Sequence, residues 1–164
     1  MFSLRKISFF TLLTGLLVAA SSANASDSRF FASLSGFQEV PAVLSDGSGF
    51  FRARVNRDNT IDFVLKVDNL SGIFAASHIH FAQKGVNGGV MVTLCGGPPT
   101  AAVPACSDVV RGTINAENVG AGAASQGIPA GDLEAVIKAL RSGNTYINVH
   151  TSAFPSGELR GRVR

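Results

Sequence analysis

Three histidines are all that this 164-residue chain contains, and two of them stand one residue apart. His78 and His80 flank Ile79 in the stretch SHIHF, and His150 ends the stretch INVH. On an extended strand, residues i and i+2 share a face and lie about 7 Å apart. With Ile79 turned to a core, His78 and His80 both point outward. With Ile147 and Val149 turned inward, Tyr146, Asn148 and His150 point outward as well. Imidazole nitrogens bind transition metals at about 2 Å and a sheet holds its side chains ready, so the three rings can converge on one ion. Such a set favours Cu(II), with Zn(II) behind it. Any remaining ligand would be water, a carboxylate, a backbone group or the thioether of Met91. The competing reading is three hydrogen-bonding histidines on the wet face of a sheet. Spacing leaves both open, because it does not say whether the two strands are neighbours. Asn148 and Tyr146 flank His150 on the same face and are candidates to support it, Asn148 by orienting an imidazole or a nearby loop.

Other chemistry finds less support. Ser77 precedes His78, but strand neighbours point to opposite faces and cannot share a proton. There is no G-x-S-x-G elbow, phosphate loop or dinucleotide fingerprint. No catalytic residue is assigned, and whether the chain is an enzyme stays open. Glu39 and Glu158 could act as a carboxylate pair only if folding joined them, and Glu158 in SGELRG reads as a turn or ion-pair residue.

The elements that must carry these residues follow from period-two alternation between turn signals. RFFASLSG, FFRARVN, IDFVLKVDNL, ASHIHFAQ, VMVTLC, DVVRGTIN, TYINVHT and GELRGRVR make about eight short strands, with RDNT as a hairpin turn. The expected fold is all-β, a Greek-key β-sandwich or barrel. One segment differs: in GDLEAVIKALRSGN, Leu133, Val136, Ile137 and Leu140 fall at helical spacing and Gly143 supplies a C-terminal cap, so one short α-helix is expected there. The stretch before it, NAENVGAGAASQGIPA, reads as a long surface loop.

Residues 1–25 have the parts of an export signal: Arg5 and Lys6, an apolar run from Ile7 to Ala20, and Ala23-Asn24-Ala25 as a cleavage site. Residues 26–164 would then form a single domain, periplasmic or secreted, with no stable membrane anchor. In an oxidising compartment Cys95 and Cys106, which bracket GGPPTAAVPA, are expected to form a disulfide contributing about 3 kcal/mol by loop closure. Loss of Arg5 and Lys6 would lower the formal charge from +3 to +1, a balance that gives no footprint for nucleic acid. The closing RGRVR reads as a strand with arginines on its wet face.

Taken together and in order, FFASLSGFQEVPAV, AASHIHFAQKGVNGGVMVTL and NTYINVHTSAFPSGELRG resemble the CHRD domain, a module that also occurs singly in exported bacterial proteins. The resemblance covers nearly the whole of residues 26–164 and implies an exported all-β domain. More distantly, HIHF and NVHT resemble the copper-binding strands of copper-zinc superoxide dismutases. That resemblance implies His78, His80 and His150 as copper ligands and Arg160 as the counterpart of an anion-guiding arginine. The chain departs from those enzymes in having no histidine left to bridge copper to zinc, so a paired site is excluded. The leading expectation is an extracytoplasmic protein that binds one copper ion at the three histidines. The alternative is a non-metallic module that engages a protein or a surface glycan, and the third is a redox activity of dismutase type.

Overall fold

The computed structural model describes residues 28–97 and 103–164; the expected leader, residues 1–25, lies outside them. Eight strands form: β1 Arg29–Ser35, β2 Ser48–Val55, β3 Ile61–Asp68, β4 Phe74–Phe81, β5 Gly89–Gly96, β6 Val109–Ile114, β7 Thr145–Thr151 and β8 Leu159–Arg162. They make one antiparallel sheet in the order β5-β4-β7-β8-β1-β2-β3-β6, which curls into a nearly closed barrel. The alternation read from the sequence is the inside-outside alternation of this barrel. Phe30, Ala32 and Leu34 of β1, Phe51 and Ala53 of β2, and Ile61, Phe63, Leu65 and Val67 of β3 fill the interior. There the Phe51 and Phe63 rings stack 6.3 Å apart.

Two long crossovers give the barrel its Greek-key character. After β3 the chain crosses to the far half of the sheet for the β4-β5 hairpin and returns to pair β6 with β3. It then crosses again through α1, Leu133–Arg141, to pair β7 with β4. The helix starts where the Asp132 side chain accepts a hydrogen bond from the Ala135 amide at 2.8 Å and ends at Gly143, φ +68°. Val136, Ile137, Ala139 and Leu140 form its buried stripe.

The stretch before α1 is not the surface loop expected from its small residues. It winds through two 3-10 segments, Ala116–Asn118 and Ala121–Gln126, and buries Val119, Ala123 and Ile128 in the core. Val119 bridges to Val92 on β5. The glycine- and alanine-rich composition hid three apolar residues that are too widely spaced to form a periodic pattern. A disulfide joins Cys95 at the end of β5 to Cys106 before β6.

Candidate metal centre

The β4-β7 register sets Ala76 opposite His150, His78 opposite Asn148 and His80 opposite Tyr146. Ile79 and Ile147 are fully buried in the core, so the intervening residues face out, as strand geometry requires. Adjacent pairing makes His150 a diagonal neighbour of His78, and their Nε2 and Nδ1 atoms lie 3.2 Å apart. One ligand nitrogen from each of His78, His80 and His150 lies within 4.8 Å of the others.

Hydrogen bonds to backbone carbonyls set the tautomers. His80 Nδ1 is 3.0 Å from the Gly88 carbonyl and donates to it; His150 Nδ1 is 3.0 Å from the Pro155 carbonyl and does the same. Each ring therefore offers its Nε2 lone pair. His150 Nε2 accepts from His78 Nδ1. His80 Nε2 is buried and has no hydrogen-bond partner among the described residues. A buried acceptor without a donor is costly, and a cation at that position would satisfy it. The residues present thus fit a bound transition-metal ion.

The outer face is covered, not wet as the competing hydrogen-bonding reading supposed. His80, Tyr146 and Asn148 are buried and only His78 and His150 are partly exposed, because the β4-β5 connection, residues 82–88, and the segment after β1 fold over this side. His80 stacks on Tyr146 at 4.7 Å, and the Tyr146 hydroxyl accepts from the Gly88 amide at 3.2 Å. The same peptide group that Tyr146 holds through its N–H side is thus close to the carbonyl that orients His80. Gly88 is required there, since a Cβ would overlap the Phe81 carbonyl.

Arg160 lies over the Tyr146 ring at 4.0 Å. It forms a buried ion pair with Glu39 at 3.1 Å and donates to the Val86 carbonyl and Asn87 side chain of the covering loop. A guanidinium held this way is not free to guide anions, which corrects the role implied by the dismutase resemblance. Asn148, although opposite His78, makes no hydrogen bond to an imidazole among the described residues; its amide donates to Glu39 and to the Leu159 carbonyl. Gly157, φ +131°, leaves the space these groups need, as a Cβ there would collide with both Glu39 and Asn148. Met91 is fully buried in the core and is not available as a ligand. Glu158 is no ion-pair residue: it is buried and accepts from Ser45, Thr151 and the Ser71 amide, a network separate from that of Glu39. Burial alone would raise its carboxyl, but these hydrogen bonds outweigh burial and hold it below the usual range.

Burial, followed by repulsion from His150 and His80, lowers His78 to about 4. Burial also lowers His80 to about 4, against the Gly88 hydrogen bond and with His150 and Arg160 adding repulsion. Both rings are neutral at pH 7, the form that binds metal. In the unfolded chain they titrate near ~6.5. Below that pH the unfolded state binds more protons, so this contribution to stability is complete above about 6.5 and is lost as pH falls towards 4. Urea unfolding of the metal-free protein should show a flat midpoint above neutrality and a decline across this window. The decline should shrink in His78→Asn; an equal decline would show that other groups cause it.

Sequence reasoning had no means of finding the Gly88 and Pro155 carbonyls, because any residue carries a carbonyl. Glu39 was visible only as a carboxylate of unknown partner. Residues 30–163 match the family model described as CHRD domain. No curated protein and no solved structure matches the chain.

Proposed function

This chain belongs to the CHRD domain family, and on that premise we propose that it is an exported protein that binds one transition-metal ion, copper before zinc, through His78, His80 and His150. The observation that carries the reading is the convergence of three imidazole nitrogens around a buried His80 Nε2 with no hydrogen-bond partner among the described residues. Copper is preferred because an all-imidazole set follows the general affinity order, in which Cu(II) leads Zn(II). The leader-like residues 1–25 and the Cys95–Cys106 disulfide support export.

This chain's residues prepare the site. Gly88 and Pro155 hold protons on Nδ1 of His80 and His150, which directs both Nε2 lone pairs to one place. His78 can join through Nδ1 once its proton sits on Nε2. The covering loop keeps water from His80. When bound, copper would supply one-electron redox chemistry, and dismutase-type turnover would need its own demonstration: superoxide removal by the loaded protein that is lost in His78→Ala.

Titration of the disulfide-intact protein with Cu(II), read by paramagnetic resonance, tests the proposal. One equivalent bound with hyperfine coupling to several nitrogens is expected. Weak binding without that coupling would return the histidines to ordinary hydrogen-bonding roles.

Tyr146 should tune this site without touching the ion. Tyr146→Phe keeps the stack on His80 but removes the acceptor for the Gly88 amide. Copper affinity should fall by about 10-fold, in the range seen when the partners that orient a ligand are removed. Unchanged affinity would show that the Gly88 peptide needs no help from the hydroxyl.

A further inference from the structure

We infer that the outer face of β8, β1, β2, β3 and β6, away from the histidines, is a binding surface for a linear anionic polysaccharide. The antiparallel registers build this face row by row. The mutual backbone hydrogen bonds of Phe31 and Arg164, both 2.9 Å, extend the β1-β8 pairing and place Arg164 beside Phe31. Arg52 lies next to Phe31 on β2, then Val64 on β3 and Arg111 on β6. Across five strands the order is therefore cation, apolar, cation, apolar, cation, with successive cations two strand spacings apart, about 10 Å. A neighbouring row carries Phe50 next to Lys66, and Arg29 lies beside Arg54 in the row on the other side. Arg162 of β8 is exposed but belongs to the other side: it lies opposite Tyr146 and its Nε donates to the Gly143 carbonyl at 2.9 Å, so it is not part of this face.

The six cations of the face, Arg164, Arg52, Arg111, Lys66, Arg29 and Arg54, are exposed, and none is in an ion pair among the described residues, where the single ion pair is Arg160–Glu39. Two carboxylates share the face: Asp62, directly opposite Arg54 in the β2-β3 register and bonded to Thr113 at 2.7 Å, offsets one cation, and Asp68 lies at the end of β3. The near-neutral formal charge of the chain thus conceals a strongly segregated one. Phe31 and Phe50 are 54% and 37% exposed, high for phenylalanine on the outside of a sheet.

The shape of the face selects among polyanions. It is the convex outside of a barrel, so a planar bilayer or a rigid duplex touches its central strands and leaves Arg111 or Arg164 out of reach. A flexible chain can follow the curve. Single-stranded nucleic acid would use free ring faces for base stacking, but the Arg52 guanidinium already lies over Phe50 at 5.2 Å. A carboxylated or sulfated polysaccharide presents charge on its ring substituents and apolar C–H faces between them, which matches the alternation of the central row from Arg164 to Arg111. This inference does not depend on the histidine site.

Binding to immobilised dextran sulfate and to polygalacturonate tests it, with neutral dextran, oligodeoxythymidylate and phosphatidylglycerol vesicles run alongside. Binding to at least one charged glycan at low ionic strength is expected, with log affinity falling linearly with log salt as counterions are released. Arg52→Gln/Arg111→Gln/Arg164→Gln should weaken it by about 10-fold or more, while the same loss of charge elsewhere, Lys84→Gln/Lys138→Gln/Arg141→Gln, should change it by less than about 2-fold. Should the triple face variant fail to fold, its single replacements carry the comparison. Equal losses in the two sets, tighter binding to the oligonucleotide or vesicles, or no binding to either charged glycan would overturn the inference.

Discussion

Phenylalanine in place of His80 should abolish copper binding while leaving the metal-free barrel folded. The ring of Phe is planar and larger than imidazole by about one ring atom, so it keeps the stack on Tyr146, now at 4.7 Å, at some cost in packing. It removes the buried Nε2 that has no hydrogen-bond partner among the described residues, which is a gain, and the hydrogen bond to the Gly88 carbonyl, which is a loss. These oppose each other, so with the larger ring to accommodate, stability without metal should fall by no more than about 1–3 kcal/mol. Copper affinity should fall by more than about 100-fold, beyond what loss of an orienting neighbour costs, because a ligand itself is gone. Calorimetric titration and urea unfolding read the two quantities separately. Copper binding that survives His80→Phe would place the ion elsewhere and remove the reason for the burial of His80.

The second large effect concerns the ion pair behind the site. Glu39→Ala leaves the Arg160 guanidinium buried without its carboxylate and takes from the Asn148 amide one of its two acceptors, leaving the Leu159 carbonyl. With both side chains of the pair under 10% exposed, breaking it should cost about 3–5 kcal/mol, a large part of the stability of a small domain. It should also loosen residues 86–88, since Arg160 bonds Val86 and Asn87. Replacing both partners, Glu39→Leu with Arg160→Met, removes the stranded charge and should recover part of the loss. A shift in urea midpoint for Glu39→Ala worth less than about 1 kcal/mol would show that water already screens the pair.

Much of this architecture was legible because one-sided burial imposes a local period. Phe51-Arg52-Ala53-Arg54-Val55 reads as a strand from the five residues alone, and the structure buries the odd ones and exposes the even ones. Leu133, Val136, Ile137 and Leu140 identified α1 in the same way. The outward direction of His78, His80 and His150 followed from Ile79, Ile147 and Val149, since two neighbours on a strand cannot share a face. Val119, Ala123 and Ile128 were missed because single apolar residues among glycines and alanines carry no period, although each is buried.

The sequence by itself thus determined which residues form strands, which face each presents, the chain's small stock of imidazoles and the motifs of its family. Only the tertiary structure decided that β4 lies beside β7, which brings His150 to His78 across 72 residues of chain. It alone showed that Arg160 is committed to Glu39, that a loop covers His80, and that six cations gather on one face of a nearly neutral protein. The reason is one of range. The direction of a side chain depends on its nearest neighbours along the strand, whereas strand order, loop cover and the carbonyls that orient a ring are set by contacts between distant segments, for which no single stretch of sequence carries a signature.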